Sequence, residues 1–111
     1  MYDGGVLEYC RLNEITIQPW SPFLFGFFEG VFLTSERYAG LTQTLGRIGE
    51  RYQLSPGAAA VAWVARHPAK IQTIIGSTKP QRVRENTRGA DVELTREEWY
   101  EIYRAAGNRL P

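Results

Sequence analysis

The chain has 111 residues, which is the size of one modest domain. Thirteen basic and 12 acidic residues give a formal net charge of +1, which excludes a polyanion-binding protein that depends on bulk charge. One cysteine and one histidine exclude an internal disulfide and a dedicated zinc site. No run approaches the roughly 18–20 apolar residues of a membrane span, and the N-terminus lacks a signal-peptide pattern. We therefore expect a cytoplasmic protein that binds neither nucleic acid nor membrane.

Three elements are predicted in the first 40 residues. The apolar spacing from Asp3 to Leu12 predicts a short helix capped by Asp3 or Gly4. The β-branched run Ile15–Trp20, which contains a proline at its end, predicts a short buried strand. Residues 21–40 have no clean period and contain all five phenylalanines, which predicts a long loop with aromatic anchors.

Two helices are predicted next. Apolar residues recur at helical spacing from Leu41 to Tyr52, which predicts an amphipathic helix. Ser55 and Pro56 are typical of an N-cap and a first helical residue, so a second helix is expected from there. It should stop at His67, because the following proline disfavours helical geometry.

The remaining residues predict a strand followed by two helices. The run Ile71–Ile75 predicts the second strand, and a helix is expected from about Thr78–Pro80 to Gly89. The last helix should begin at Thr95, which forms a capping box with Glu98, and Gly107 is a natural residue after its end. Its predicted buried side chains are those of Trp99, Ile102, Tyr103 and Ala106.

Strands that alternate with helices indicate an α/β fold built from parallel β/α units. Two parallel strands alone neither close a barrel nor bury both faces of an open sheet. Residues 1–111 are therefore interpreted as a single incomplete domain, a piece of something larger.

An anion site is predicted where the second strand ends. Gly76, Ser77 and Thr78 lead from the strand into a helix, whose first N–H groups lack partners within the helix. Lys79 and Arg82 lie three residues apart on its first turn, within reach of a phosphate monoester. The alternative is that the two hydroxyls only cap the helix while both cations are solvated.

A second candidate follows the first strand. The indole of Trp20 can stack on an aromatic ligand at the strand's end, and the turn at Ser21–Pro22 can meet a phosphate. The alternative is a core tryptophan beside a tight turn.

Taken together, these runs resemble the C-terminal half of an aldo-keto reductase. The matching runs are Ile15–Phe23, Tyr52–Pro68, Ile74–Asn86 and Leu94–Ala106. The resemblance implies a partial (β/α)8 TIM barrel, with the two strands corresponding to the seventh and eighth, followed by the C-terminal helices. It also implies NADP(H) as cofactor, in a family that reduces aldehydes and ketones.

The resemblance assigns ten residues to this cofactor. Trp20 would stack on the nicotinamide, while Ser21 and the backbone near Phe23 would meet the pyrophosphate. Glu85 and Asn86 would hold the adenine edge. The residues expected around the adenosine 2′-phosphate are Gly76, Ser77, Thr78, Lys79 and Arg82.

The family's catalytic Asp, Tyr, Lys and His belong to the N-terminal half, so no catalytic residue is assigned here. His67 is expected to be structural and Cys10 to be a buried, inert thiol. The chain alone should bind cofactor weakly or not at all and should not turn over substrate. The loop phenylalanines either line a substrate pocket or pack within the loop.

The sequence allows three interpretations. In the first, the chain is the cofactor-binding part of a reductase. In the second, it is a truncated α/β module without enzymatic activity that self-associates, because its strands would otherwise stay uncovered. In the third, it combines with a separately encoded N-terminal half to complete a barrel. A partner, either a second copy or the missing half, is expected in addition to the cofactor.

Overall fold

A computed structural model describes residues 4–26 and 30–110 of the chain. Five α-helices and one short antiparallel hairpin occur within these residues. The elements are α1 (Val6–Leu12), β1 (Leu24–Gly26), β2 (Gly30–Val31), α2 (Ala39–Glu50), α3 (Pro56–Ala65), α4 (Pro80–Ala90) and α5 (Arg96–Ala105). All five predicted helices are confirmed.

Local capping explains where α3 and α5 begin and end. The Ser55 hydroxyl accepts a hydrogen bond from the Ala58 amide at 3.2 Å, as predicted for an N-cap. Thr95 and Glu98 form the predicted capping box, with bonds of 3.2 and 2.9 Å. Gly107 follows α5 with a φ of +89°, a conformation that glycine adopts without steric cost.

Two details of the predicted helices are wrong. The N-cap of α1 is Gly5, with a φ of +67°, rather than Gly4, and Asp3 lies outside the described residues. A left-handed backbone suits glycine, which explains its place there. Ala106 is exposed because α5 has already ended at Ala105, so it leaves the buried face.

The core lies between α2, α3 and α5. Its buried side chains are Leu45, Ile48, Leu54, Ala58, Ala59, Ala62, Leu94 and Ile102. On the edge of this core, Trp63 and Trp99 stack with ring centroids 4.8 Å apart, and each indole N–H donates to the other residue's carbonyl. These bonds satisfy both indoles while their rings stay packed.

Small residues bring α3 and α4 into close contact. A Cβ at Gly89 would lie 2.0 Å from the Ala58 carbonyl oxygen, a distance that no side chain can occupy. The two helices therefore touch backbone to backbone at this point. This contact fixes α4, which carries several of the predicted cofactor residues, against α3.

The two predicted strands are not regular strands in this structure. Residues 15–19 and 71–75 nevertheless lie side by side, with Gln72 N donating to Ile17 O at 2.9 Å and Ile74 N donating to Pro19 O at 3.0 Å. Both bonds advance by two residues in the same direction, which is parallel register. In a parallel ladder the intervening bond would come from the N–H of Pro19, and proline has none.

The prediction of a long loop over residues 21–40 is also wrong in part. Strands β1 and β2 form a hairpin there, followed by 3₁₀ turns at Phe32–Thr34 and Glu36–Tyr38, and α2 begins at Ala39. The hairpin escaped prediction because its strands span three and two residues, too short to establish a period.

Candidate functional site

A cavity of about 630 Å³ lies where the two extended segments end. Its walls come from both segment ends, the first turns of α2 and α3, the first two turns of α4, and the hairpin region. The volume lies within the range of sites that hold small molecules and cofactors. The chain therefore brings the two motifs singled out in the sequence to one concave surface.

Seven of the ten predicted cofactor residues line this cavity: Ser21, Phe23, Gly76, Ser77, Arg82, Glu85 and Asn86. Three do not line it, namely Trp20, Thr78 and Lys79. All three are exposed, and Trp20 retains 66% of its surface. The roles of all ten toward a cofactor stay predictions.

Asn86 is the most buried polar side chain at the site. It is 9% exposed, and its amide has no hydrogen-bond partner among the residues that the structure describes. An amide without a protein partner in the wall of a cavity is available to pair with a ligand there.

Charge at the cavity comes from Arg82 and Glu85, which lie three residues apart on α4. Arg82 forms no ion pair within the described part of the chain, so its guanidinium is available to an anion. Ser77 does not cap α4; its hydroxyl accepts from Lys79 N at 3.2 Å, and Lys79 is the N-cap. The capping alternative raised from the sequence is therefore wrong for Ser77.

Ser21 and Gly76 both line the cavity, and they differ in their backbone conformation and surroundings. Ser21 has a φ of +51°, a left-handed conformation that costs a non-glycine residue about 1 kcal/mol and ends the extended run. Gly76 would place a Cβ in open space, with no atom within 4 Å. The backbone is thus accessible to a ligand at Gly76.

The sequence profile of the aldo/keto reductase family matches residues 3–106. This chain belongs to the aldo/keto reductase family.

The chain is similar to several proteins that are named as reductases or oxidoreductases. The 6-dehydroglucose reductase of Agrobacterium fabrum is 32% identical over 105 residues, which is 95% of this chain and 34% of that protein. The NADH-specific methylglyoxal reductase of Escherichia coli is 25% identical over 111 residues, covering 84% of this chain and 34% of the relative. This aldo/keto reductase chain thus spans about a third of the length of the curated relatives it matches.

A solved structure shows the same fold. A thermostable aldo-keto reductase crystallised with the inhibitor epalrestat superposes with a TM-score of 0.71 at 23% identity. The match covers 91% of this chain and 33% of that one. The arrangement of helices and extended segments described above is therefore that of about one third of an aldo-keto reductase.

Sequence reasoning missed seven residues that line the cavity in this aldo/keto reductase chain. They are Val31, Leu33, Thr34, Thr42, Ser55, Pro56 and Gly57. Ser55 and Pro56 carried a signal, but only that of a helix start. The others have no local motif, because their role depends on how the hairpin region and α3 pack together.

The loop phenylalanines divide into two groups. Phe23 lines the cavity, and its ring contacts that of Phe32 edge-on with centroids 6.3 Å apart. Phe32 also packs against the core. The side chains of Phe25, Phe27 and Phe28 lie outside the described residues, so the substrate-pocket interpretation stays a prediction for them.

His67 and Cys10 lie away from this aldo/keto reductase cavity. His67 Nδ1 accepts from the Ala69 amide at 3.1 Å, which closes the turn after α3. Burial lowers the pKa of His67, and the charge of Arg11 lowers it further, against a smaller opposing effect from Glu8. Cys10 is half-buried on α1 rather than fully buried.

Within residues 4–26 and 30–110, no helix is long and apolar enough to cross a bilayer.

Proposed function

We propose that this chain is the NADP(H)-binding C-terminal part of a cytoplasmic aldo-keto reductase, formed by the last two β/α units of the barrel. The parent reaction is the reduction of an aldehyde or ketone by hydride transfer from the nicotinamide. The residues of this chain bind and orient the dinucleotide, while the catalytic Asp, Tyr, Lys and His belong to the part of the family's chain that has no counterpart here.

The observation that carries this proposal is the meeting of Arg82, Ser77 and Asn86 in one cavity. Among the described residues, Arg82 supplies a cation without an ion-pair partner, Ser77 a hydroxyl, and Asn86 a side-chain amide without a hydrogen-bond partner. A guanidinium and a hydroxyl suit a phosphate monoester, and an amide suits the edge of a purine base. This donor set fits a phosphorylated adenosine.

The choice between NADPH and NADH depends on the 2′-phosphate. The relative from Escherichia coli is named as NADH-specific, so membership of the family leaves this choice open. Arg82 has a strong partner in NADPH but none at that position in NADH. Glu85 faces the same cavity and weakens anion binding somewhat, which makes Arg82 the decisive residue.

Replacing Arg82 by alanine should weaken NADPH binding about tenfold to a hundredfold, the range for a lost charge-assisted hydrogen bond. NADH binding should change little. Isothermal titration of both nucleotides measures this, with Arg84→Ala as matched control because Arg84 is exposed on α4 but does not line the cavity. Equal NADPH affinity in wild type and Arg82→Ala removes Arg82 from the site.

The chain by itself should not oxidise NADPH when a test aldehyde is added. The reason is that hydride transfer needs a proton donor for the carbonyl oxygen, which we place in the missing part. Absorbance of NADPH at saturating aldehyde measures this directly. Aldehyde-dependent oxidation above the rate without protein would contradict the assignment of the catalytic residues.

Self-association is the second candidate, and exposed apolar side chains favour it. Tyr9 and Leu12 on α1 are 62% and 83% exposed, and Trp20 and Ile74 on the extended segments are exposed as well. Such a surface is typical of a contact with protein. We expect a dimer or larger species at micromolar concentration in equilibrium sedimentation, and a stable monomer would contradict this candidate.

A further inference from the structure

Gly57, on the first turn of α3, has three cavity residues from three different parts of the chain around it. An ideal Cβ at this position would lie 3.0 Å from Asn86 Oδ1, 3.7 Å from Leu33 and 3.8 Å from Phe23. The first distance is tighter than ordinary Cβ contacts, so any side chain at position 57 would press on the Asn86 amide. The other two distances are ordinary van der Waals contacts.

The Asn86 amide oxygen therefore lies directly beside the position that a Cβ of residue 57 would take. It is nine-tenths buried, has no hydrogen-bond partner in the described chain, and lines the cavity together with Gly57. Within the described chain, no hydrogen bond of its own holds the amide in place. Its position is thus set by packing, and the close side of that packing is the bare Cα of Gly57.

We propose that Gly57 is a positioning residue that sets where the Asn86 amide sits and thereby the affinity of the cavity for the base-carrying half of the dinucleotide. This inference rests on the proposed function for its ligand but not for its geometry. An alanine at position 57 pushes the amide a few tenths of an ångström, and directional hydrogen bonds weaken with such displacements. The same change favours helix formation in α3, so the fold should survive it.

Binding of NADPH to Gly57→Ala, Asn86→Ala and the double variant tests the coupling. Each single variant should bind about fivefold more weakly, the effect of one lost hydrogen bond. Because Gly57 acts through Asn86, the double variant should bind no more weakly than Asn86→Ala alone. Gly40→Ala is the control, since a Cβ there meets no atom within 4 Å. Unchanged affinity in Gly57→Ala, or losses that multiply in the double variant, would overturn the proposal.

A second readout needs no ligand. In ¹⁵N-resolved spectra of the free protein, the side-chain amide resonances of Asn86 should shift in Gly57→Ala and stay in place in Gly40→Ala. Unshifted Asn86 resonances in Gly57→Ala would overturn the inference whatever the affinities. If the wild type shows no NADPH binding even at millimolar concentration while these resonances shift, the proposal that this chain binds NADP(H) by itself fails and the positioning of Asn86 by Gly57 stands.

Discussion

Replacing Gly89 by alanine should destabilise the fold by about 3 kcal/mol or more, among the larger effects of single substitutions. The added methyl group would lie 2.0 Å from the Ala58 carbonyl oxygen. Because the neighbouring atoms are backbone atoms, no side-chain rotation can relieve this contact. Helices α3 and α4 must separate to admit it. Urea unfolding followed by circular dichroism measures the loss as a lower midpoint.

The matched control for this prediction is Gly46→Ala in α2. A Cβ there makes an ordinary contact of 3.8 Å with Pro56, so helix propensity alone should stabilise the protein slightly. Because α4 carries Arg82 and Asn86, Gly89→Ala should also weaken NADPH binding. A Gly89→Ala protein as stable as the wild type would show that the two helices do not touch as described.

Replacing Glu98 by alanine should cost about 3 kcal/mol, because several partners lose a buried carboxylate at once. Glu98 is 5% exposed, and its carboxylate accepts bonds from the Thr95 amide at 2.9 Å, the Tyr52 hydroxyl at 2.6 Å and Arg51 at 3.1 Å. It thus ties the turn after α2 to the start of α5. Thermal unfolding of the variant measures the cost, and Glu97→Ala is the control because Glu97 is exposed in the same turn.

The same cluster gives stability a defined pH dependence. Burial opposes ionisation of Glu98, but hydrogen bonds from Tyr52, Thr95 and Arg51 outweigh it and lower the pKa of this carboxyl. Its contribution is therefore complete above the unfolded pKa of about 4.3 and is lost as the pH falls through the folded value. Conversely, the hydrogen bond to Glu98 and burial raise the pKa of Tyr52. The stability that the neutral Tyr52 hydroxyl contributes is therefore lost as the pH rises through its folded pKa. Equal acid midpoints in wild type and Glu98→Gln would contradict this assignment.

Helices were predictable from this sequence because their signals are local. Ser55–Pro56 and the Thr95–Glu98 capping box specify helix starts through bonds within one turn. The strands were not, because Ile15–Trp20 has the composition of a strand while its ladder depends on the N–H that Pro19 lacks. Composition indicates that a segment favours extended backbone. Ladder pairing also requires an N–H donor at each position that faces the neighbouring strand.

The candidate site was predictable only on the side that carries motifs. Gly76, Ser77 and Arg82 follow an apolar run in a recognisable order, and all three line the cavity. Gly57 and Gly89 carried no signal, because a glycine in a helix reveals nothing about the group that approaches it. Their importance comes from contacts with Asn86 and Ala58, which are distant in sequence.

We propose that the phosphates of a dinucleotide bind where the two extended segments end. Titration of the ¹⁵N-labelled chain with NADPH tests it most directly, because amide resonances report where the ligand lies even at millimolar affinity. We expect the largest shifts at Ser21, Gly76, Ser77 and Arg82, and smaller shifts at these residues with NADH. Shifts confined to the stacked Trp63 and Trp99, which do not line the cavity, would contradict this placement.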